Sequence, residues 1–262
     1  LKMDEKFKKH KKYLICSKIA EGTFSKVYEA INSETMETVA IKVLKSKEQE
    51  TERETKVLEL VKKCPSVVRF IESFADKEKK IYIVTELVKG ERLSYKLRTK
   101  EELVELFKKI TKPFIFLHSL KVAHLDIKPR NILVKGDGEV IIIDFGLSCL
   151  SECKDKLLQY NSKIIGSLGY MSPEMMGQNV SNIFAADVYS LGVTFFYLLN
   201  GYLPFSAKGF QAIKRKKELG MTRMILSIYE DLNELVDEMI SIVSEFRPTM
   251  QEVYQRLEEI KC

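Results

Sequence analysis

Asp126, Lys128 and Asn131 stand inside the run His124-Leu125-Asp126-Ile127-Lys128-Pro129-Arg130-Asn131-Ile132-Leu133, and a second aspartate follows in Asp144-Phe145-Gly146. Side chains of these types in this order suit phosphoryl transfer. That reaction asks for a metal to neutralise phosphates, a carboxylate to orient the accepting hydroxyl, and cations on the developing charge. Asp126, Lys128, Asn131 and Asp144 supply these groups. Their Asp and Asn oxygens suit Mg²⁺, a hard cation that keeps some water and takes a few protein ligands plus substrate phosphates. Any one of the four alone reads equally well as a capping aspartate or a loop asparagine. The ordered set does not.

Two upstream segments offer further phosphate contacts. Ile19-Ala20-Glu21-Gly22-Thr23-Phe24-Ser25-Lys26-Val27 is a turn that could lay backbone N–H groups over phosphates, or an ordinary hairpin turn, since Gly22 is its only glycine. Lys42 follows Val39-Ala40-Ile41. In an extended strand Ala40 and Lys42 share a face, so this lysine can hold phosphates or simply be solvated at a strand end. Glu54 could pair with Lys42 and fix its ammonium, with Glu52 as a rival.

The elements that must position these groups follow from periodicity. Residues 13–43 read as a strand meander around Lys26-Val27-Tyr28 and Val39-Ala40-Ile41, broken by the polar turn Asn32-Ser33-Glu34. Residues 45–63 read as a charged helix with Val57, Leu58 and Val61 on one face, closed by Pro65. Residues 67–74 and 81–87 are two more strands around a charged turn at 76–80. Beyond Gly90, residues 101–120, 185–199, 232–243 and 250–260 are helical, with Pro129, Pro173, Pro204 and Pro248 in the loops between. Val140 to Ile143 is a strand. The fold class is α+β, with a β-rich lobe at 1–87 and a larger helical lobe at 88–262, and the crevice between lobes is where a ligand is expected.

The bulk properties remove several alternatives. With 262 residues, 45% hydrophobic and 31% charged, the chain is an ordinary globular protein of one large domain or two packed lobes. No apolar run is expected to approach the roughly 18–20 residues of a membrane span, and the lysine-rich residues 2–12 lead into no signal-peptide core. The five cysteines are odd in number and scattered, without zinc spacing, so reduced thiols and an intracellular setting, cytoplasmic or nuclear, are expected. The net charge of +6 is interleaved with 37 acidic residues and there is no tryptophan, which argues against nucleic acid.

Taken together, these motifs resemble the signature of eukaryotic-type protein kinases, and the resemblance spans nearly the whole chain. It implies a two-lobed kinase-like fold and transfer of the γ-phosphoryl group of ATP, with Mg²⁺ or Mn²⁺, to protein hydroxyls. It makes Lys42 the phosphate-binding lysine paired with Glu54, Asp126 the catalytic base, Asn131 and Asp144 the metal ligands, and Lys128 the cation beside the transferred phosphate. Thr85 falls at the gatekeeper position, so Glu86 and Leu87 offer backbone groups to adenine. Ala20, Gly22, Val27, Ala40 and Leu133 complete the nucleotide site. A stack of Leu58, Phe70, Phe145 and His124 is implied, which makes His124 structural. Ser172-Pro173-Glu174 resembles the end of the activation loop, Asp187 to Gly192 the start of a buried anchoring helix, and Arg247 the arginine that pairs with Glu174. Asp-Ile-Lys-Pro together with Gly166-Ser167-Leu168-Gly169-Tyr170 resembles the serine/threonine pattern. The expected partners are Ser/Thr-bearing proteins and a regulatory protein, without nucleic acid or membrane, and the expected state is a monomer.

The chain departs from that pattern in three places. Leu125 replaces the arginine between His124 and Asp126, so a phosphate on the activation loop would lack its guanidinium partner. The loop is therefore expected to fold productively without phosphorylation at Ser148, Ser151, Ser162 or Ser167. Ala20 and Ser25 replace two phosphate-loop glycines, which predicts slowed rather than abolished turnover. The segment between Asp144 and Glu174 is long, and its Cys149 and Cys153 read as redox-sensitive or as buried, idle thiols. Lys214-Arg215-Lys216-Lys217 reads as a solvated helical face or as a dock for an acidic partner. The alternatives to an active kinase are a nucleotide-binding pseudokinase or scaffold on the same fold, and a lipid or small-molecule kinase. Against the last, the segment of residues 166–174, Gly-Ser-Leu-Gly-Tyr-Met-Ser-Pro-Glu, resembles a protein-substrate platform.

Overall fold

The computed structural model describes residues 9–22, 25–44, 48–77, 79–153, 167–177, 180–220 and 227–261. Thr23, Phe24, Ser162, Gly166 and the Cys153 side chain, all named above, lie outside the described residues and side chains. The chain separates into two compact units, Leu1–Lys89 and Gly90–Cys262.

In the first unit, β1 (Lys9–His10), β2 (Tyr13–Glu21), β3 (Ser25–Asn32), β4 (Thr38–Leu44), β5 (Phe70–Ala75) and β6 (Ile81–Glu86) form one sheet in the order β1-β2-β3-β4-β6-β5. Every pairing is antiparallel. Strand β4 shows why this sequence makes a strand. Its β-branched Val39, Ile41 and Val43 alternate into the core while Ala40 and Lys42 take the other face. Tyr13, Ala30, Tyr82 and Val84 join them in one apolar cluster, with Phe74 stacked on Tyr13 and Tyr82 at centroid distances of 6.0 and 5.0 Å. The helix α1 (Glu48–Val61) buries Val57, Leu58 and Val61. Strand β5 starts three residues later than periodicity predicts, because the Val67 amide closes a turn onto the Cys64 carbonyl at 3.2 Å.

The second unit is mostly helical: α2 (Lys100–Ser119), α3 (Pro173–Gly177), α4 (Ile183–Asn200), α5 (Phe210–Glu218), α6 (Glu230–Met239) and α7 (Met250–Glu259). Between them lie the short strands β7 (Glu91–Arg92), β8 (Val122–Ala123), β9 (Ile132–Val134), β10 (Val140–Ile142) and β11 (Cys149–Leu150). Both α2 and α7 begin with a capping box, Thr99 with Glu102 and Thr249 with Glu252, which satisfies amides that the helix itself leaves open. Pro113 sits inside α2, where it removes one helical hydrogen bond, yet it is buried among Ile110, Phe114 and Leu117. Each of those large side chains gains roughly 1.5–3 kcal/mol from burial, enough to hold the helix through the defect.

Helix α4 corrects a sequence expectation. By length and composition it is apolar enough to cross a membrane, yet 83% of it is buried within the protein and Asp187 lies inside it. It is the core helix of this unit. Asn182 caps its first turn, accepting from the amides of Phe184 at 2.9 Å and Ala185 at 3.2 Å. At Gly192 a Cβ would come within 2.7 Å of Met239 and 2.9 Å of Ile240, so glycine permits the close approach of α6.

Candidate active site

In the second unit the central feature is a short loop held from three sides. Strand β8 delivers Val122 and Ala123, and the chain then turns through Leu125, which adopts a left-handed backbone with φ of 62°. A branched residue there is strained, and Asp187 holds it. The Asp187 carboxylate, fully buried on α4, accepts from the Leu125 amide at 2.7 Å, the His124 amide at 2.8 Å and His118 Nε2 at 3.0 Å. His124 is itself buried. Its Nδ1 accepts from the Asp126 amide at 3.2 Å, which places the proton on Nε2, and its ring meets Phe145 edge-on at 5.0 Å. Burial pushes its pKa below the ordinary value, against the charges of Asp187, Asp126 and Asp144, so it stays neutral. His124 is a structural wedge, as the sequence implied.

Beyond this loop the polar groups converge. Lys128 Nζ donates to Asp126 Oδ2 at 2.6 Å, and Asn131 Nδ2 donates to both Asp126 Oδ2 and the Asp126 carbonyl at 2.9 Å. Pro129 starts a short 3₁₀ turn, Pro129–Asn131, that swings Asn131 back toward Asp126. Strand β10 then returns antiparallel to β9, and the Ile143 amide donates to the Asn131 carbonyl at 2.9 Å. That bond sets Asp144 directly after the backbone of Asn131. Asp144 is left-handed at φ 64°, and its Oδ1 accepts from the Gly146 amide at 3.3 Å. The four residues singled out for phosphoryl chemistry are thus gathered on one loop and one hairpin. Leu133, buried on β9, pairs with Ile141 and Arg92.

The first unit carries the remaining candidates. Lys42 Nζ meets Glu54 Oε1 at 2.7 Å, with both side chains largely buried, while Glu52 is exposed; Glu54 is therefore the partner. Val27 pairs with Lys42, and Ala40 with Thr85. The Glu86 amide is already used by the Arg69 carbonyl at 2.9 Å, and its carbonyl accepts from Thr85 Oγ1 at 3.2 Å. Leu87 follows the end of β6. The β2–β3 hairpin runs through Ala20↔Val27 and Glu21↔Lys26 and closes with Gly22 N–H on the Ser25 carbonyl at 2.9 Å.

A protein kinase domain model matches residues 13–257. The chain belongs to the protein kinase family. Its α+β architecture, a β-sheet unit followed by a helical unit, is the protein kinase fold. The kinase domain is 37% identical over 219 residues to CBL-interacting protein kinase 2 of Oryza sativa subsp. japonica, covering 79% of this chain and 48% of that protein. It is 34% identical over 250 residues to CBL-interacting protein kinase 19 of the same organism, covering 90% and 48%. To CBL-interacting serine/threonine-protein kinase 15 of Arabidopsis thaliana it is 36% identical over 218 residues, covering 78% and 51%. The chain spans about half the length of these curated relatives.

His118 escapes a reading by motif, and the partners of Ser190 and Lys217 escape it as well: nothing in the sequence says what these polar side chains meet. Ser148, one of the serines whose phosphorylation the loop is expected not to need, is buried with its hydroxyl on the His124 carbonyl at 3.0 Å. One reading needs correction. The basic run on α5 is not a solvated face throughout, because Lys217 has no exposed surface. Of the two activation-segment cysteines, Cys149 is buried, which fits the idle-thiol reading.

Proposed function

We propose that this kinase domain transfers the γ-phosphoryl group of ATP to serine and threonine hydroxyls of proteins. The observation that carries the reading is the Asp126–Lys128–Asn131 cluster. Asp126 is held by two donors on Oδ2, which fixes its carboxylate to orient an accepting hydroxyl and take its proton. Lys128 stays within reach of that carboxylate and places a cation where negative charge develops. Lys42, pinned by Glu54, is suited to hold ATP phosphates.

The donor set fits Mg²⁺. The Asn131 nitrogen makes both bonds to Asp126, so its Oδ1 is the atom able to face a cation, and Asp144 follows the Asn131-bonded Ile143 with its carboxylate. Among the described residues there is no cluster of three or more His, Cys, Asp or Glu able to cage a metal. Mg²⁺ needs none, since one or two protein oxygens and substrate phosphates suffice. When bound, the ion neutralises phosphate charge.

Activity independent of activation-loop phosphorylation is part of the proposal. Leu125 packs with Met175 and Phe184 against a cluster of Ala123, Cys149, Val180 and Ile183. Apolar contact thereby ties the catalytic loop to the segments around it, where an arginine would have required a phosphate. A protein regulator belongs to the same reading, supported by relatives named for an interaction with CBL.

The test is transfer of labelled γ-phosphate to a mixed Ser/Thr peptide library with Mg²⁺, comparing the wild type with Asp126→Asn and Lys42→Met. Labelling by the wild type alone supports the enzyme. Equal labelling by all three removes it, leaving a nucleotide-binding pseudokinase or scaffold.

A further inference from the structure

Lys217 lies on α5 with no exposed surface. Its Nζ donates to the carbonyls of Leu168 at 2.9 Å, Gly169 at 3.0 Å and Met171. An ammonium has three donors and no acceptor, so three carbonyls use it completely. Its charge also lies 5.2 Å from the Tyr189 ring centre and 5.6 Å from that of Phe205, within cation–π range. The intervening carbonyl, Tyr170, accepts from Ser190 Oγ at 3.0 Å. All four successive carbonyls of residues 168–171 are thus tied to the interior of this unit.

Stability alone does not account for a lysine here. An apolar side chain between two aromatic rings would avoid the cost of burying a charge, and such replacements are often neutral or stabilising. What the ammonium adds is direction: it turns three peptide groups the same way. We infer that Lys217 is a positioning residue for the protein substrate, holding the backbone of residues 168–171 in the shape on which an accepting peptide is bound. This rests on the kinase reading above, in which residues 166–174 form the substrate platform.

The same geometry makes the platform sensitive to pH. Burial pulls the Lys217 pKa down to about 7, against the opposing charge of Glu174 on α3. The other ionisable groups around it are Tyr189 on α4, Arg247 stacked on the Tyr189 ring, Tyr170 on the platform, and Lys214 and Glu218 on its own helix. A neutral amine keeps only two N–H donors, so raising the pH through that range releases one of the three carbonyls.

The test compares wild type, Lys217→Met and Lys217→Gln by amide-exchange protection of residues 167–177, and by peptide and ATP kinetics, at about pH 6 and about pH 8.5. In Lys217→Met, protection of residues 168–171 is expected to fall about tenfold, the equivalent of one hydrogen bond to a charged group, while α4 keeps its protection. Peptide KM is expected to rise by a similar factor with kcat and the KM for ATP held within about twofold, and Lys217→Gln to recover part of it. The wild type loses platform protection at the higher pH and Lys217→Met shows no such step. Unchanged protection at 168–171, or an equal loss across α4, overturns the inference. If no peptide is phosphorylated by the wild type, the kinase reading fails while the exchange measurement still decides the role of Lys217.

Discussion

Arg247 grips Glu174 through two parallel hydrogen bonds, Nη1 to Oε1 at 2.6 Å and Nη2 to Oε2 at 2.9 Å, with the arginine side chain fully buried. The remaining donors go to the carbonyls of Ser241 at 2.8 Å, Ala185 at 3.0 Å and Ile242 at 3.3 Å, and the guanidinium stacks 4.9 Å from the Tyr189 ring centre. The end of the activation segment is thereby bolted to α4 and to the chain before α7. Arg247→Ala leaves Glu174 without its partner and is expected to cost about 3–5 kcal/mol. Arg247→Lys recovers little, because an ammonium cannot make the fork. Urea denaturation checks both, and an Arg247→Met, Glu174→Met double variant should be more stable than either single truncation.

The Lys42–Glu54 pair predicts a split between two neighbouring glutamates. Glu54→Gln weakens the hold on the Lys42 ammonium and should raise the KM for ATP on the order of tenfold, the scale of one charged hydrogen bond. Glu52→Gln, at an exposed position, should leave it unchanged. ATP titration of the two variants side by side is the check.

Asp126→Asn keeps the shape of the cluster but removes the proton acceptor. Peptide labelling should fall by roughly 10²–10⁴, the usual contribution of a positioned base, while ATP binding persists. Loss of ATP binding together with labelling would point to a collapsed loop, not to missing chemistry.

Ser148 and Ser151 differ in burial, and that decides what a negative charge does at each. Ser148→Asp places an unpaired carboxylate where the hydroxyl now bonds the His124 carbonyl, so it should destabilise by about 3 kcal/mol and reduce labelling. Ser151→Asp and Ser167→Asp, at partly exposed positions, should leave labelling within about twofold if Leu125 has replaced a phosphate switch. A large gain at either site would count against phosphorylation-independent activity.

Acid should loosen the first unit through Glu72. Burial alone would raise its pKa, but hydrogen bonds from Lys11, Tyr13 and Lys12 outweigh that and bring it down to about 2 from the ordinary 4.5. A depressed carboxylate stabilises the fold above its unfolded pKa and stops doing so as pH falls through the folded one. Its contribution is therefore complete above about pH 4.5 and lost toward pH 2, on the order of 1 kcal/mol after solvent screening. Glu72→Gln should flatten that limb in an acid-unfolding curve followed by circular dichroism.

Much of the fold is legible in one dimension because its signals are local. Alternation of Val39, Ile41 and Val43 with Ala40 and Lys42 reports a half-buried strand, and helix periodicity places α2 and α7 within a residue at each end. The ends of β5 and α6 were not legible, since a turn onto Cys64 and a cap at Ile240 close them and neither has a strong residue signature. In the candidate site, the order Asp126, Lys128, Asn131, Asp144 was readable, whereas its support by Asp187 and His118 depends on residues far apart in the chain.

The sequence by itself determined the chemistry on offer: which oxygens could take a metal and which carboxylate could take a proton. Those are properties of residue type and spacing. Only the tertiary structure decided the environment of each charge. It chose Glu54 over Glu52, buried Ser148 beneath the His124 carbonyl, and turned Lys217 from one basic residue in a run of four into a buried ammonium shared by carbonyls of residues 168–171. Burial and partnership arise from contacts between distant segments, and a lysine in a sequence carries no mark of the carbonyls it will meet.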